Sequence, residues 1–302
     1  VTATLDRVAR HGIVDLALVA VAIVWGSSYL AAKYVVDPDG VVAFLVIRFA
    51  VAALGLAIVL APRLRRLARS EACLGVLFGL VLSAVLLLET LGITMTSASN
   101  AGIIISMTIV MTPLLDRWVR GTSLRSTFYG ATAIAVCGVA LLTQNGGLAA
   151  PRVGDLLILL AAAARAGHVT LIARLSERSS QVNVDSARVT AVQLCTALTV
   201  FAVLSPFTGH GVVAIASQMT VRGWLLTIYL GVACTVAAFL IQMWAVRRSS
   251  PARVSLLLGT EPLWAAAFGV ILAGDSLTIV GFVGAAMVLV GTNWGRTVEA
   301  AG

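Results

Sequence analysis

Residues 154–175, GDLLILLAAAARAGHVTLIARL, decide how this chain is read. They are almost wholly apolar and match the ~20 residues that a bilayer-crossing helix needs. Arg165 nevertheless sits near their middle, and His168 follows one helical turn later on the same face. A cation at the bilayer midplane costs roughly 2.5–3.5 kcal/mol on insertion scales. A chain keeps such a residue where it faces a polar cavity or a partner inside a helix bundle. A permanent ion pair that only fixes packing is the plainer alternative. Either reading calls for neighbouring spans.

The rest of the chain supplies them. Of 302 residues, 60% are hydrophobic and 11% charged, and the mean hydropathy is +1.01. Soluble domains carry about 25% charged residues, so the composition predicts an all-α membrane protein. The net charge of +8 does not collect on one amphipathic face. Basic residues fall instead in short gaps between apolar runs, so lipid and a small-molecule solute are the expected partners, and nucleic acid is not. Cys73, Cys137, Cys195 and Cys234 all lie inside apolar runs, which predicts no disulfide framework. The opening VTATLDRVARHG reads as a short basic tail leading into a first span and not as a cleavable signal peptide.

Ten apolar segments can be marked, at about 13–35, 40–61, 72–92, 96–116, 126–143, 154–175, 186–207, 222–246, 251–273 and 277–295. Alternate gaps differ sharply in charge. One set holds Arg7, Arg10, Arg63, Arg65, Arg66, Arg69, Arg117, Arg120, Arg125, Arg174, Arg178, Arg188, Arg247, Arg248, Arg253 and Arg296. The other holds only Lys33, Arg152 and Arg222. The positive-inside rule then predicts a bacterial inner-membrane protein with both termini in the cytoplasm.

The chain also repeats itself. Glu89-Thr90-Leu91-Gly92 leads into TMTSASNAGIII and Pro113, and Gln242-Met243-Trp244-Ala245 leads into VRRSSPARVSLL and Pro262. Arg48 in the second segment has its counterpart in Gln193 of the seventh, and YGATAIAVCGVALL matches VGAAMVLVGTNW. The expected division is a first five-helix repeat at 1–146 and a second at 147–302. Five is odd, so the two would insert with opposite topology around a central cavity, as in many secondary transporters.

These motifs together resemble the drug/metabolite transporter superfamily in its ten-helix EamA-type branch, and within it the YddG-like amino-acid exporters. The resemblance rests on Trp25-Gly26-Ser27-Ser28 with Lys33, Arg48, TSASNAG at 96–102 before Pro113, and Gly154-Asp155-Leu156-Leu157. SSPARV at 249–254, Glu261-Pro262 and Gly274-Asp275 complete it. It implies export of small metabolites, most simply amino acids, through a cavity lined by spans one to four and six to nine. Two departures are visible. Arg165 stands where the family usually has Trp, so a cation replaces an aromatic wall, and Arg120-Gly121-Thr122 stands where the family has Gly-Glu.

Other polar residues fill in a candidate site. Glu261 lies near the middle of its segment, at a depth close to that of Arg165, so geometry allows the two to interact across the cavity. Trp25, Ser28, Arg48, Asn100 and Gln193 are candidate substrate contacts with Arg165, His168 and Glu261; each also suits helix packing. Glu89, Glu261 and His168 are candidates for proton coupling, because apolar surroundings disfavour an isolated charge. Glu89 can alternatively reach interfacial water. Pro113 and Pro262 are candidate gating positions, since proline frees a carbonyl one turn earlier. Gly75-xxx-Gly79 and Gly291-xxx-Gly295 permit close helix contact within the chain or in a homodimer.

There is no P-loop, no HExxH and no Cys or His cluster at metal-ligand spacing, so neither cofactor nor metal is expected. The reading is a carrier working by alternating access and not an enzyme. The alternatives are an efflux carrier for lipophilic cations and an intramembrane enzyme using Arg165, His168 and Glu261.

Overall fold

Inside hydrocarbon a backbone must satisfy its own N–H and C=O groups, which leaves helices or a closed barrel. The computed structural model describes residues 2–36, 38–95, 104–121, 125–143, 153–178, 184–273 and 278–300. Among the described residues there are helices and connecting turns and no strand. The principal helices are α1 (Thr2–Val35), α2 (Val41–Leu64), α3 (Arg69–Met95), α4 (Thr108–Arg120), α5 (Ser126–Thr143), α6 (Val153–Arg178), α7 (Ser186–Leu204) and α8 (Val221–Val246). Two half-helices follow, α9 (Pro251–Leu258) and α10 (Glu261–Phe268), and then α11 (Ile279–Ala300).

Among the described residues, seven stretches are long and apolar enough to cross a membrane: those in α1, α2, α3, α6, α7 and α8, and the α9–α10 unit. Helices α5 and α11 hold shorter apolar stretches, Ser126–Leu141 and Ile279–Gly295. Of the segment expected at 96–116, residues 96–103 lie outside the described residues. Between 39% and 56% of each spanning window is buried within the protein, so much of its apolar surface faces outward. Leu54, Ile58, Ile271 and Phe282 are exposed in this way, as lipid contact requires. The chain is a multi-pass membrane protein.

Hydrophilic caps start the helices in the gaps between apolar runs. Asp185 accepts from the Ala187 N–H to open α7, and Thr220 accepts from the Gly223 N–H to open α8. Ser250 accepts from the Arg253 N–H to open α9, with Pro251 in the first position, where no N–H is needed. Among the described residues the spans are interrupted three times, once by a π-turn at Gly269–Ala273 that follows α10. The other two interruptions shape the interior of the bundle. Helix α8 loosens into a π-turn at Val232–Ala237. The next span breaks at Gly259-Thr260, because Pro262 has no N–H to continue the ladder and frees carbonyls one turn before it.

Small residues let the helices approach. Gly75 and Gly79 of α3 lie against Val192 and Thr196 of α7, and Gly291 of α11 against Ala131 and Ala135 of α5. Gly295 faces Leu256 of α9. Both small-residue motifs therefore make contacts inside this chain. Helix α3 packs on α6 and α7, α8 on α1 and α2, α4 on α6, α10 on α1, α2 on α7, and α5 on α11. Leu18, Phe44, Phe49, Phe78 and Phe201 form the fully buried centre.

Candidate functional site

Three helices bring three charges together at the middle of the bundle. Arg165 of α6 donates from Nη2 to Oε2 of Glu89 on α3, and from Nη1 to Oε2 of Glu261 on α10 at 3.3 Å. Their side chains are 16%, 13% and 7% exposed, enclosed without being sealed. Glu261 owes its place to the broken span. It stands in the first turn of α10, where the helix dipole favours a carboxylate.

An aromatic face completes the surroundings of the guanidinium. The ring of Trp25 on α1 has its centre 5.3 Å from Cζ of Arg165, within reach of a cation–π attraction. Trp25 is itself held by its Nε1–H, which donates to the Cys234 carbonyl at 2.9 Å, and by Phe239 at 5.5 Å between ring centres. That carbonyl belongs to the π-turn of α8, where the ordinary helical ladder is interrupted. The same turn presents Thr235, whose Oγ1 accepts from Nε of Arg48 at 3.0 Å and donates to the Leu230 carbonyl at 2.8 Å. Arg48 of α2 is also within electrostatic reach of Glu89.

Beside the three charges lies a cavity of about 20 Å³, room for about one water. Arg165, Glu261, Gln242, Ser106, Thr112 and Ser255 are among its lining residues. Thr112 is 1% exposed, and its Oγ1 has no hydrogen-bond partner among the described residues. A buried hydroxyl left in that state is ready for a water or for a polar group of a solute.

The structure thus joins Arg165 to Glu89, Glu261 and Trp25, with Arg48 tied in through α8. Pro262 lines the cavity, and Pro113 is buried in α4. Ser28 donates its hydroxyl to the Trp25 carbonyl, and the hydroxyls of Ser27 and Tyr229 share a hydrogen bond. His168 and Gln193 stand elsewhere. His168 is 2% exposed, sits edge-on to Phe78 with ring centres 6.1 Å apart, has Gln193 beside it, and does not line the cavity. Three residues along a helix turn the side chain by about 60°, enough to aim it into a different interface when helices pack on every side. Asn100 lies outside the described residues.

Two further charged clusters were not anticipated from the sequence. Arg253, grouped by its position with the cations of the gaps, is 4% exposed and donates from Nε and Nη2 to the two carboxylate oxygens of Asp15, each at 2.8 Å. Its signal was Asp15 itself, an acid inside an otherwise apolar run. Arg188, also grouped with the gap cations, pairs at 3.2 Å with the fully buried Glu71, which accepts in addition from the Ala68 and Asp185 N–H groups. Nearby, Arg247 donates to the Val184 carbonyl at 2.6 Å and to Oγ of Ser186 at 2.7 Å. Burial, and then the like charge of Arg248, hold the Arg247 pKa below the usual arginine value against the opposite pull of Asp185 and Glu71.

A bundle that is apolar outside and charged around an internal cavity defines a class: multi-pass membrane proteins with a polar site inside the helices. Its family is also defined. The chain belongs to the EamA-like transporter family, whose model matches residues 12–144 and again 152–294. A protein of Archaeoglobus fulgidus described as an uncharacterized transporter is 24% identical over 275 residues, spanning 91% of this chain and 83% of the relative. A solved crystal structure shares the fold with a TM-score of 0.75 at 15% identity, covering 96% of this chain and 98% of that one. The family is one of transporters, and the enzymatic alternative gains no support from it.

Proposed function

We propose that this transporter exports small zwitterionic metabolites, amino acids first among them, across the bacterial inner membrane by alternating access. The observation that carries the reading is the guanidinium of Arg165 shared between Glu89 and Glu261 at the wall of a polar cavity. A solute carboxylate competes with the glutamates for Arg165, and the solute ammonium takes the carboxylate so released. The exchange leaves no buried ion unpaired, which keeps the cost of loading low. Thr112 and Gln242 supply neutral hydrogen-bonding groups beside it. Glu89 or Glu261 is the proposed proton carrier, because a carboxylate parted from Arg165 in apolar surroundings needs a proton or a new partner. His168 is retained as a second carrier only if a water path joins it to this cluster.

The proposed architecture is ten crossings in two oppositely inserted repeats, 1–146 and 147–302, with both termini cytoplasmic. Two findings support it. The family model matches once in each half. Exchanging the halves also converts the contacts into one another: α3 on α6 becomes α8 on α1, α3 on α7 becomes α8 on α2, and α4 on α6 becomes α10 on α1. Rocking of the third, fourth, eighth and ninth spans is the proposed motion.

The two carboxylates near the cavity favour one competing reading, efflux of lipophilic cations against the face of Trp25. A counterflow screen of amino acids with purified protein in liposomes separates the two. Exchange of at least one amino acid, lost in Arg165→Ala, is the expected result. Exchange of lipophilic cations with no amino acid accepted would replace the first reading by the second.

A further inference from the structure

The Asp15–Arg253 pair takes no part in the solute site, and its position suits another task. Asp15 stands near the start of the apolar stretch Gly12–Ala32 of α1, and Arg253 in the first turn of half-helix α9. Both are buried, and the guanidinium meets the carboxylate fork to fork. Buried ion pairs seldom repay their desolvation in stability, and their best-attested use is to select one arrangement over another.

Helix α1 meets the α9–α10 unit at a second point. Gly26 lies against Trp264, Ala265 and the Glu261 carbonyl, so closely that a Cβ there would come within 2.9 Å of that oxygen. At about 1.5 Å rise per residue, the two contacts are roughly 16 Å apart along α1. One is a backbone contact at mid-depth, the other an ion pair near the end. Between them the span breaks at Gly259-Thr260, and α9 carries Ser255 and Leu258 into the cavity wall. The break gives α9 a hinge about which it would repack against its neighbours while α10 stays seated on Gly26, and any such swing requires Asp15 and Arg253 to part.

We propose that Asp15 and Arg253 form the latch that closes the cavity toward the membrane face carrying the α2–α3 loop at 65–68. The proposal rests on the transporter reading of the fold and not on the choice of amino acids as solutes. Its test uses no solute, so it stands or falls apart from the counterflow screen. In a chain with its four cysteines replaced by alanine, Ser255→Cys reports access to the cavity, and Arg65→Cys in a separate chain marks the loop face. An impermeant maleimide is applied from either side of oriented vesicles, and the melting temperature of each variant is recorded.

Asp15→Asn and Arg253→Gln are expected to raise labelling of Ser255→Cys from the marked face by about tenfold. Arg253→Lys, which keeps the charge and loses the fork, raises it less, and Glu71→Gln leaves it unchanged. Unchanged labelling in Asp15→Asn and Arg253→Gln overturns the latch. So does an equal rise from the opposite face, or an equal rise in Glu71→Gln. Should the first two variants fail to fold, Arg253→Lys decides: a rise from the marked face supports the latch, and no rise removes it.

Discussion

The charges around Arg165 and those around Glu71 occupy the same bundle and are built on opposite plans. At mid-depth one guanidinium is shared between two carboxylates, beside a cavity and a threonine hydroxyl that has no partner among the described residues. Near the start of α3, Glu71 is the more deeply buried, yet it accepts from two backbone N–H groups and from Arg188. On the proposed function, Arg165 exchanges a glutamate for a solute carboxylate. Glu71 cannot move without orphaning backbone donors, each costing about 1–3 kcal/mol. On the proposed function, what separates the two clusters is the cavity beside Arg165 and the backbone donors that hold Glu71, and not depth of burial.

Arg165→Ala should have the largest effect on the comparison. It leaves two enclosed carboxylates without their cation, so stability is expected to fall by about 3 kcal/mol and exchange per folded molecule in liposomes by about a hundredfold or more. The same solutes exported at the same rate would end the assignment of the site. Glu71→Ala should spare exchange: stability in a denaturant titration falls by about 4 kcal/mol, two backbone donors being orphaned, while exchange per folded molecule holds. If exchange is lost instead, the distinction between the clusters fails. A one-unit pH gradient can drive about tenfold accumulation per coupled proton, since one pKa unit is worth about 1.36 kcal/mol. Uptake driven in this way should flatten in Glu89→Gln or Glu261→Gln, and unchanged pH dependence in both would remove proton coupling from this site. Gly26→Ala should act through packing, costing about 3 kcal/mol of stability, because a methyl group there would lie within 2.9 Å of Cβ of Trp264 and of backbone atoms of residues 261 and 265. A melting temperature equal to the native one would show that α1 and α10 are free to separate.

Much of this was legible beforehand, for a simple reason. A run such as 154–175 is apolar whatever its neighbours are, so the positions of the spans follow from hydropathy alone. Arg165 and Glu261 stood out because charge in such a run needs a partner, and their similar depth suggested that they meet. Pro262 announced an interruption, although the break itself falls at Gly259-Thr260. The π-turn at Val232–Ala237 had no comparable signal. No proline marks it, and the groups that bond to it, the Trp25 indole and the Arg48 guanidinium, come from other helices.

Composition and periodicity thus determined that the chain is helical, multi-pass and charged within its apolar interior. Only the tertiary structure decided which charges meet. It set Glu89 beside Glu261 on Arg165, turned His168 toward Phe78, and buried Arg253 on Asp15. The physical reason is rotational. Each residue turns a helix face by about 100°, so how helices rotate and cross selects a partner that the linear order leaves open.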